Sequence, residues 1–234
     1  MVIFVGLTGN VACGKSTIAN HWREKGITIL DTDKMAADVI APGTDGFKEV
    51  VANFHSENLL LEDGQLNRRA LGQIVFNDRS KKKVLEGIVW PKVYKKLFSS
   101  LISSTFYWLL RSDHIVAVEI PQLFESGPLT KYFFDAVVVV CCDSPSGEQL
   151  RRLLHRNPDI PEHDARSRLK AQMPQHEKRK LACYVVENNG PVEETFKQSD
   201  AIVNNIVQNY RVKRFKALTI FAVSSMAFAF YLFL

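Results

Sequence analysis

Residues 9–16 read Gly-Asn-Val-Ala-Cys-Gly-Lys-Ser, which matches the phosphate-loop pattern Gly-x-x-x-x-Gly-Lys-Ser, and an apolar run precedes them directly. The two glycines allow the backbone to turn so tightly that consecutive N–H groups point at a polyphosphate. We expect Lys15 to reach the β- and γ-phosphates of a nucleotide and the Ser16 hydroxyl to bind a magnesium ion. The pattern therefore predicts an enzyme that binds nucleotide phosphates.

Two aspartates, Asp31 and Asp33, follow the second apolar run of the chain. The carboxyl ends of parallel strands form the edge of a sheet where ligands bind. A carboxylate at this edge lies within reach of the phosphate loop and is suited to accept a proton from an attacking hydroxyl. Aspartates at such a position also cap the helices that follow strands. The residues alone leave both interpretations open.

A sheet is needed to bring these residues together, and the chain contains short apolar runs bounded by turn residues. Hydrophobicity within the runs is continuous rather than alternating, so we expect both faces of each strand to be covered, as in a parallel sheet. Helical stretches are expected between the runs. The pattern predicts an α/β fold with strands at residues 2–7, 28–30, 115–120, 137–142 and 184–186, and helices at residues 15–25, 33–40, 68–111, 147–156 and 163–180.

The central segment, residues 60–112, is longer than a crossover between parallel strands requires. It contains a run of basic residues and the aromatic residues Trp90, Phe98, Phe106 and Trp108. Apolar and aromatic side chains line most small-molecule sites. We interpret this segment as a helical substrate-binding region within a single domain, residues 1–210.

The charge distribution argues against a nucleic-acid partner. The 234-residue chain has a formal net charge of +5, but four of its 30 lysines and arginines lie within residues 211–216. Residues 1–210 therefore hold 26 basic residues against 25 acidic ones. A nearly neutral domain does not provide the basic face that binding to a nucleic-acid duplex requires.

The C-terminal segment, residues 217–234, contains 18 residues and no charge. As a helix it would extend about 27 Å, close to the thickness of a bilayer's hydrocarbon core. We expect a tail anchor whose basic flank, residues 211–216, keeps the preceding domain in the cytosol. The short, moderately apolar segment favours the mitochondrial outer membrane over the endoplasmic reticulum. The alternative is a helix buried against the domain.

The four cysteines show neither metal-ligand spacing nor a C-x-x-C pair. They are therefore expected to be reduced thiols of a protein that faces the cytosol. Cys13 lies inside the phosphate loop, and we expect thiol reagents to modify it and to block nucleotide binding. Bound ATP would then protect the protein from inactivation.

Further short motifs extend the pattern along the chain. They read Ile-Pro-Gln-Leu-Phe-Glu at residues 120–125, Gln-Leu-Arg-Arg at 149–152 and Glu-Asn-Asn-Gly at 187–190. Arg156, Arg168 and Gln172 stand between the last two motifs. With the phosphate loop and the aspartate pair, their order and spacing resemble the dephospho-CoA kinase family. The resemblance covers most of residues 1–207.

The resemblance implies a P-loop kinase fold like that of nucleoside-monophosphate kinases. Its parts are a five-stranded parallel sheet, a helical substrate region and a lid at about residues 147–180. It also implies phosphorylation of the ribose 3′-hydroxyl of dephospho-coenzyme A by ATP, the last step of coenzyme A synthesis. An enzyme of the preceding step is a candidate protein partner.

The resemblance also implies roles for individual residues, with ATP and magnesium as cofactors. Asp33 corresponds to the general base, and Lys15 neutralises charge on the transferred group. Arg156 and two further lid arginines, Arg152 and Arg168, would close on the phosphates. Ser16 would bind magnesium directly and Glu119 through a water molecule. The residues that would hold ATP are Thr8, Gly9, Asn10, Val11, Ala12, Cys13, Gly14, Lys15, Ser16 and Thr17.

The chain departs from the usual family pattern at several positions. Asn10 stands for a loop glycine, Trp90 for a histidine, Glu119 for an aspartate, Gln122 for a leucine and Asn157 for an aspartate. Two alternatives stay open. A nucleoside or nucleotide kinase would have the same phosphate loop, and a membrane-tethered nucleotide-binding paralogue with weak catalysis is suggested by Glu119, Trp90 and the C-terminal segment. A regulatory GTPase is disfavoured because the chain has no Asn-Lys-x-Asp motif.

Overall fold

A computed structural model describes residues 2–55, 59–108, 114–125, 133–142 and 147–210, with the backbone alone for 104–108. Within them one parallel sheet has the strand order β2-β3-β1-β4-β5. The predicted five-stranded parallel sheet is confirmed. Its strands are β1 (Val2–Thr8), β2 (Thr28–Asp31), β3 (His114–Glu119), β4 (Ala136–Cys141) and β5 (Tyr184–Glu187).

Helices cover both faces of the sheet and form the central region. They are α1 (Lys15–Glu24), α2 (Thr32–Val39), α3 (Asp45–Asn53), α4 (Arg68–Asn77), α5 (Arg79–Trp108), α6 (Glu148–Arg156), α7 (Glu162–Lys170), α8 (Gln175–Leu181) and α9, whose described part is 192–210.

Two predicted helical stretches are each divided into two helices. In the central stretch Asp78 separates α4 from α5, because its carboxylate accepts the backbone N–H groups of Ser80 and Lys81 and caps the second helix. In the stretch 163–180, α7 ends at Lys170 and α8 begins after Pro174. The sequence analysis missed α3, although Thr44 caps it by accepting the N–H of Phe47, and it also missed α9.

The core explains why the apolar runs are continuous. Val138 and Val140 belong to the cluster that packs β1 against α1 and α9, whereas Val137 and Val139 belong to a second cluster with Leu123. Successive strand residues point to opposite faces of a sheet. Because helices or loops cover both faces, every position along β4 is apolar and buried.

The central helices have a small core of their own. This core contains Val50 of α3, Phe54 directly after α3, Leu71 of α4 and Ile88 of α5, all of them buried. This cluster holds α4 and α5 over the carboxyl edge of the sheet, where β1, β2 and β3 end. The central region therefore forms one wall of the space above the phosphate loop.

Within the described residues, no helix combines the length and the hydrophobicity needed to cross a bilayer. The predicted tail anchor, residues 217–234, and its basic flank, residues 211–216, lie outside the described residues.

Candidate active site

The phosphate loop connects β1 to α1, and sterics require glycine at both ends of it. Gly9 has a φ of 149°, and a Cβ there would lie 2.3 Å from the carbonyl oxygen of Val140. Gly14 has a φ of 91°, and its Cβ would lie 2.1 Å from the amide nitrogen of Asn188. No side chain fits at either position, so the two glycines of the motif are needed for the shape of the loop.

Lys15 is the first residue of α1, and its ammonium group lies beneath the loop. It donates to the carbonyl oxygens of Gly9 at 2.9 Å and Asn10 at 3.0 Å. The side chain is buried, and burial lowers the pKa of the ammonium. Nearby carboxylates oppose this shift, chief among them Glu119. The nitrogen of Lys15 therefore lies at the position where a polyphosphate would bind.

The two aspartates after β2 have different roles. Asp31 is the N-cap of α2 and accepts the backbone N–H of Lys34 at 3.0 Å. Asp33 lies in the first turn of α2, and its carboxylate lines a cavity together with Lys15 and Ser16. Partial desolvation by the cavity walls raises the pKa of Asp33, and the charge of Asp31 adds to this effect. The capping interpretation therefore holds for Asp31, whereas the carboxylate of Asp33 lines the cavity and stays the candidate base.

Ser16 and Glu119 bring two oxygen ligands together beside the loop. The Ser16 hydroxyl donates to a Glu119 carboxylate oxygen at 3.1 Å. Glu119 ends β3 and is buried, and burial is the main cause that raises its pKa. Within the described residues, no group of three or more His, Cys, Asp or Glu side chains forms a metal site. The pair fits magnesium, which is often held by one or two protein oxygens plus phosphates and water.

Two cavities meet at the phosphate loop. The first, about 390 Å³, extends toward Asn188, Gly190 and Val192 and is called the donor cavity below. The second, about 490 Å³, extends toward Asp33, Glu119 and the walls of α4 and α5, and is called the acceptor cavity. Four described residues line both of them, namely Ala12, Lys15, Ser16 and Arg156.

The structure brings two of the three predicted lid arginines to these cavities. Arg156 lines both, and Arg152 lines the donor cavity. Arg152 also donates to Glu148 at 2.8 Å, and this contact and the one from Arg151 lower the pKa of Glu148 to about 2. Arg168 lies exposed on α7 and is not among the residues that line either cavity.

The remaining loop residues predicted to bind ATP differ in their exposure to the cavities. Ala12 and Thr17 line the donor cavity, and Val11 lines the acceptor cavity. Thr8 is buried and donates its hydroxyl to the carbonyl of Pro121 at 3.3 Å, so its side chain holds the next turn in place. Cys13 is fully buried.

Burial raises the pKa of Cys13 to about 11. The thiolate is the reactive form of cysteine, and a thiol with such a pKa holds very little of it near neutral pH. Burial of the side chain therefore argues against the expected modification of Cys13 by thiol reagents, which stays a prediction to be tested.

Hydrogen bonds tie the tip of the loop to the lid, a role that the sequence analysis did not assign. The N–H of Val11 donates to the Gln172 side chain at 2.9 Å, and the Asn10 side chain donates to the Met173 carbonyl at 3.1 Å. Gln149, on α6, donates to the Val11 carbonyl at 2.7 Å. Gln149 belongs to the motif at residues 149–152, and Gln172 was noted between that motif and the next, so the family resemblance was the signal available for both.

A second set of contacts supports the far end of the loop. The Asn188 side chain donates to the carbonyl of Cys13 at 3.0 Å, and Thr195 donates to Asn188 at 3.1 Å. Asn188 belongs to the motif at residues 187–190, which follows β5. The motif therefore lines the donor cavity and also fixes the backbone next to Gly14.

Lys178 is a buried charge that the sequence analysis missed. Its side chain is 0% exposed, and its ammonium lies 2.8 Å from a Glu125 carboxylate oxygen. It also donates to the carbonyl of Pro121 at 3.4 Å, and the N–H of Met173 donates to Glu125 at 3.1 Å. This network joins the wall of the acceptor cavity to the base of the lid.

Comparison with known proteins identifies the relatives of this chain. The family model "CoaE: Dephospho-CoA kinase" matches residues 3–194. The chain is 42% identical over 204 residues to "Dephospho-CoA kinase" of Geobacillus kaustophilus, covering 87% of this chain and 96% of the relative. It is 36% identical over 208 residues to "Dephospho-CoA kinase CAB5" of Saccharomyces cerevisiae, covering 88% of this chain and 83% of the relative.

Two solved structures have the same fold. "TT1252 from Thermus thermophilus" superposes with a TM-score of 0.71 at 32% identity and covers 87% of this chain and 96% of its own. "Dephospho-CoA kinase from Campylobacter jejuni" superposes with a TM-score of 0.65 at 25% identity, and the match covers 90% of this chain and 100% of the other.

Proposed function

The chain belongs to the dephospho-CoA kinase family, and we propose that it uses ATP to phosphorylate the ribose 3′-hydroxyl of dephospho-coenzyme A. The product is coenzyme A, so the reaction is the last step of coenzyme A synthesis. The observation that carries this proposal is the pair of cavities that meet at Lys15, Ser16 and Arg156. A phosphoryl transfer between two bound substrates requires this arrangement, because both substrates must approach one reacting phosphate.

We assign ATP to the donor cavity, with its phosphates on the N–H groups of the loop and on Lys15. Dephospho-coenzyme A occupies the acceptor cavity, with its 3′-hydroxyl at Asp33. Asp33 orients this hydroxyl and accepts its proton as the oxygen attacks the γ-phosphorus. Lys15 and Arg156 border both cavities, so their charges stabilise the oxygens of the group in transfer.

Ser16 and Glu119 are the residues that we assign to magnesium, Glu119 through a water molecule. The ion supplies positive charge to the β- and γ-phosphates when it is bound. Arg152 and Arg168 would join Arg156 when the lid closes. Closure excludes water from the reacting phosphate and thereby limits hydrolysis of ATP.

The full chain, purified in a mild detergent, tests this function. Dephospho-coenzyme A is offered with ATP and magnesium, beside adenosine, AMP and a panel of nucleosides, and products are separated by chromatography. We expect coenzyme A as the main product. Phosphorylation of nucleosides alone would make the protein a nucleoside kinase, and ATP binding without turnover on any acceptor would make it a nucleotide-binding paralogue.

The Asp33→Asn variant tests the base. It keeps the size of the side chain but removes its ability to accept a proton, so we expect kcat to fall by about two to four orders of magnitude. ATP affinity, measured by equilibrium dialysis, should stay close to that of the wild type. Near-normal turnover of the variant would remove Asp33 from this role.

We also propose that residues 217–234 anchor the protein in a membrane, with the kinase domain in the cytosol. The support is an uncharged run of 18 residues after a basic flank, and the mitochondrial outer membrane is favoured over the endoplasmic reticulum. Microscopy of tagged chains with and without residues 212–234 tests this proposal. Equal diffuse staining of both chains would contradict it. Binding of an enzyme of the preceding step stays a prediction.

A further inference from the structure

One aromatic side chain lines the acceptor cavity in the part of the chain that the structure describes. Among the described residues that line it, Trp90 is the only one with an aromatic side chain. Trp90 is half-buried, and its ring packs against Tyr94 with centroids 5.7 Å apart and an angle of 27° between the planes. Tyr94 does not line the cavity, so it supports the indole from outside.

The proposed reaction limits where the base of the acceptor can lie. The 3′-hydroxyl must reach Asp33, and the base is attached to C1′, which is separated from C3′ by one ring carbon. The base therefore lies in the same cavity as the reacting hydroxyl. The end of the cavity at Lys15 and Ser16 receives the donor phosphates. We therefore place the base against the wall that α5 contributes, where Leu85, Val89 and Trp90 line the cavity.

We propose that the indole of Trp90 stacks on the adenine of dephospho-coenzyme A and makes the acceptor site selective for an adenosine-containing molecule. This inference rests on the proposed function. Nucleobases stack on aromatic side chains through their π-faces, and such contacts carry a large share of the binding of unpaired bases. Because Tyr94 already holds the ring, less side-chain freedom is lost when the base binds. The stacked base also holds the ribose, so that its 3′-hydroxyl stays at Asp33.

Steady-state kinetics of the full chain in detergent test the proposal. Trp90→Leu removes the aromatic face but keeps an apolar side chain, and we expect KM for dephospho-coenzyme A to rise about 5- to 100-fold. Trp90→Phe keeps a ring and should retain most of the affinity. KM for ATP should not change in either variant. The matched control is Phe133→Leu, an exposed aromatic residue outside the central region that lines neither cavity, which should leave both KM values unchanged.

A fragment separates adenine stacking from contact with the rest of the acceptor. 4′-Phosphopantetheine lacks the adenosine, so its inhibition constant against dephospho-coenzyme A should be the same in the wild type and in Trp90→Leu. Indole fluorescence gives a second readout that does not require turnover. With a non-hydrolysable ATP analogue filling the donor cavity, dephospho-coenzyme A should quench the wild type, and Trp90→Phe should lose this quenching.

Three outcomes would overturn the proposal: an unchanged acceptor KM in Trp90→Leu, an equal rise in both KM values with a lower melting temperature, or a weaker inhibition by 4′-phosphopantetheine. Failure of the proposed function has a different signature, because the wild type itself would form no coenzyme A. The fluorescence titration would still decide whether Trp90 contacts the bound molecule.

Discussion

At the residue scale, Asp31 and Asp33 have different surroundings, because only the carboxylate of Asp31 accepts a backbone N–H group. Asp31 is the N-cap of α2, and its oxygen accepts an N–H group that the helix leaves unpaired. Asp33, in the first turn, lines the acceptor cavity with Lys15 and Glu119. Its carboxylate is therefore the one available to a substrate hydroxyl.

The raised pKa of Asp33 predicts the pH dependence of the reaction. The base that we propose, Asp33, acts only when it is deprotonated, so we expect activity to be lost as pH falls through a pKa that lies above the ordinary value of an aspartate. We expect the acid limb of kcat/KM for the acceptor, at saturating ATP, to lie above that value. The pKa of Glu119 is also raised, so Glu119→Gln serves as the control. Disappearance of the limb in this variant would assign it to Glu119 instead.

Burial predicts the reactivities of the cysteines. Cys183 is exposed, whereas Cys13 is buried and its pKa is raised to about 11. Iodoacetamide at mildly alkaline pH should label Cys183 and leave Cys13 unmodified, as peptide mass spectrometry would show. In Cys183→Ser the peptide that contains residue 183 should no longer be labelled, and Cys13 should stay unmodified. Labelling of Cys13 as fast as that of Cys183 would show that the loop opens readily.

At the element scale, the phosphate loop is held from two sides by elements distant in sequence. Gln149 and Gln172 bind its tip, and Asn188 binds its far end. The first two residues belong to α6 and to the segment between α7 and α8, and Asn188 follows β5. The tip of the loop is therefore connected to Arg156 through one element, because the same helix α6 carries both Gln149 and Arg156.

Loss of Lys178 should destabilise the connection between the turn after β3 and the base of the lid. Lys178→Met leaves Glu125 without its buried partner, and we expect the free energy of unfolding to fall by about 2–4 kcal/mol. Urea unfolding measures the change. Because Glu125→Met removes the unpaired charge, the double variant should lose less stability than the sum of the two single variants. A change of less than about 0.5 kcal/mol in Lys178→Met would contradict this role.

At the scale of the whole molecule, the sheet and the central helices enclose the two cavities. The sheet presents the loop, Glu119 and Asp33 at one edge, and the separate core of α3, α4 and α5 holds the acceptor wall above it. The residues shared by both cavities lie where these parts meet. A bound nucleotide therefore contacts several elements that would separate on unfolding.

Nucleotide binding should consequently stabilise the whole domain. A non-hydrolysable ATP analogue with magnesium is used at one free concentration, about 100 times the Kd of the wild-type protein. At this concentration it should raise the free energy of unfolding of the wild type by about 2.7 kcal/mol. Lys15→Ala should lose most of this increment, because it removes a charge from the phosphate site. Lys34→Ala, an exposed position that lines neither cavity, should retain it. Equal increments in the two variants would contradict the placement of the phosphates at Lys15.

The sequence by itself determined the features that depend on local pattern. The phosphate loop was recognisable because its function requires two glycines, a lysine and a serine at a set spacing. The parallel sheet was predictable because strands covered on both faces are apolar at every position. Family motifs supplied the reaction and most of the candidate site.

Only the tertiary structure decided how these parts act together. The pair Ser16–Glu119, the supports of the loop and the ion pair between the buried Lys178 and Glu125 join residues that are far apart in the chain. The different surroundings of Asp31 and Asp33 and the burial of Cys13 also depend on contacts that no local pattern encodes. Burial and neighbouring charge set a side chain's pKa and its partners, and both are properties of the folded molecule.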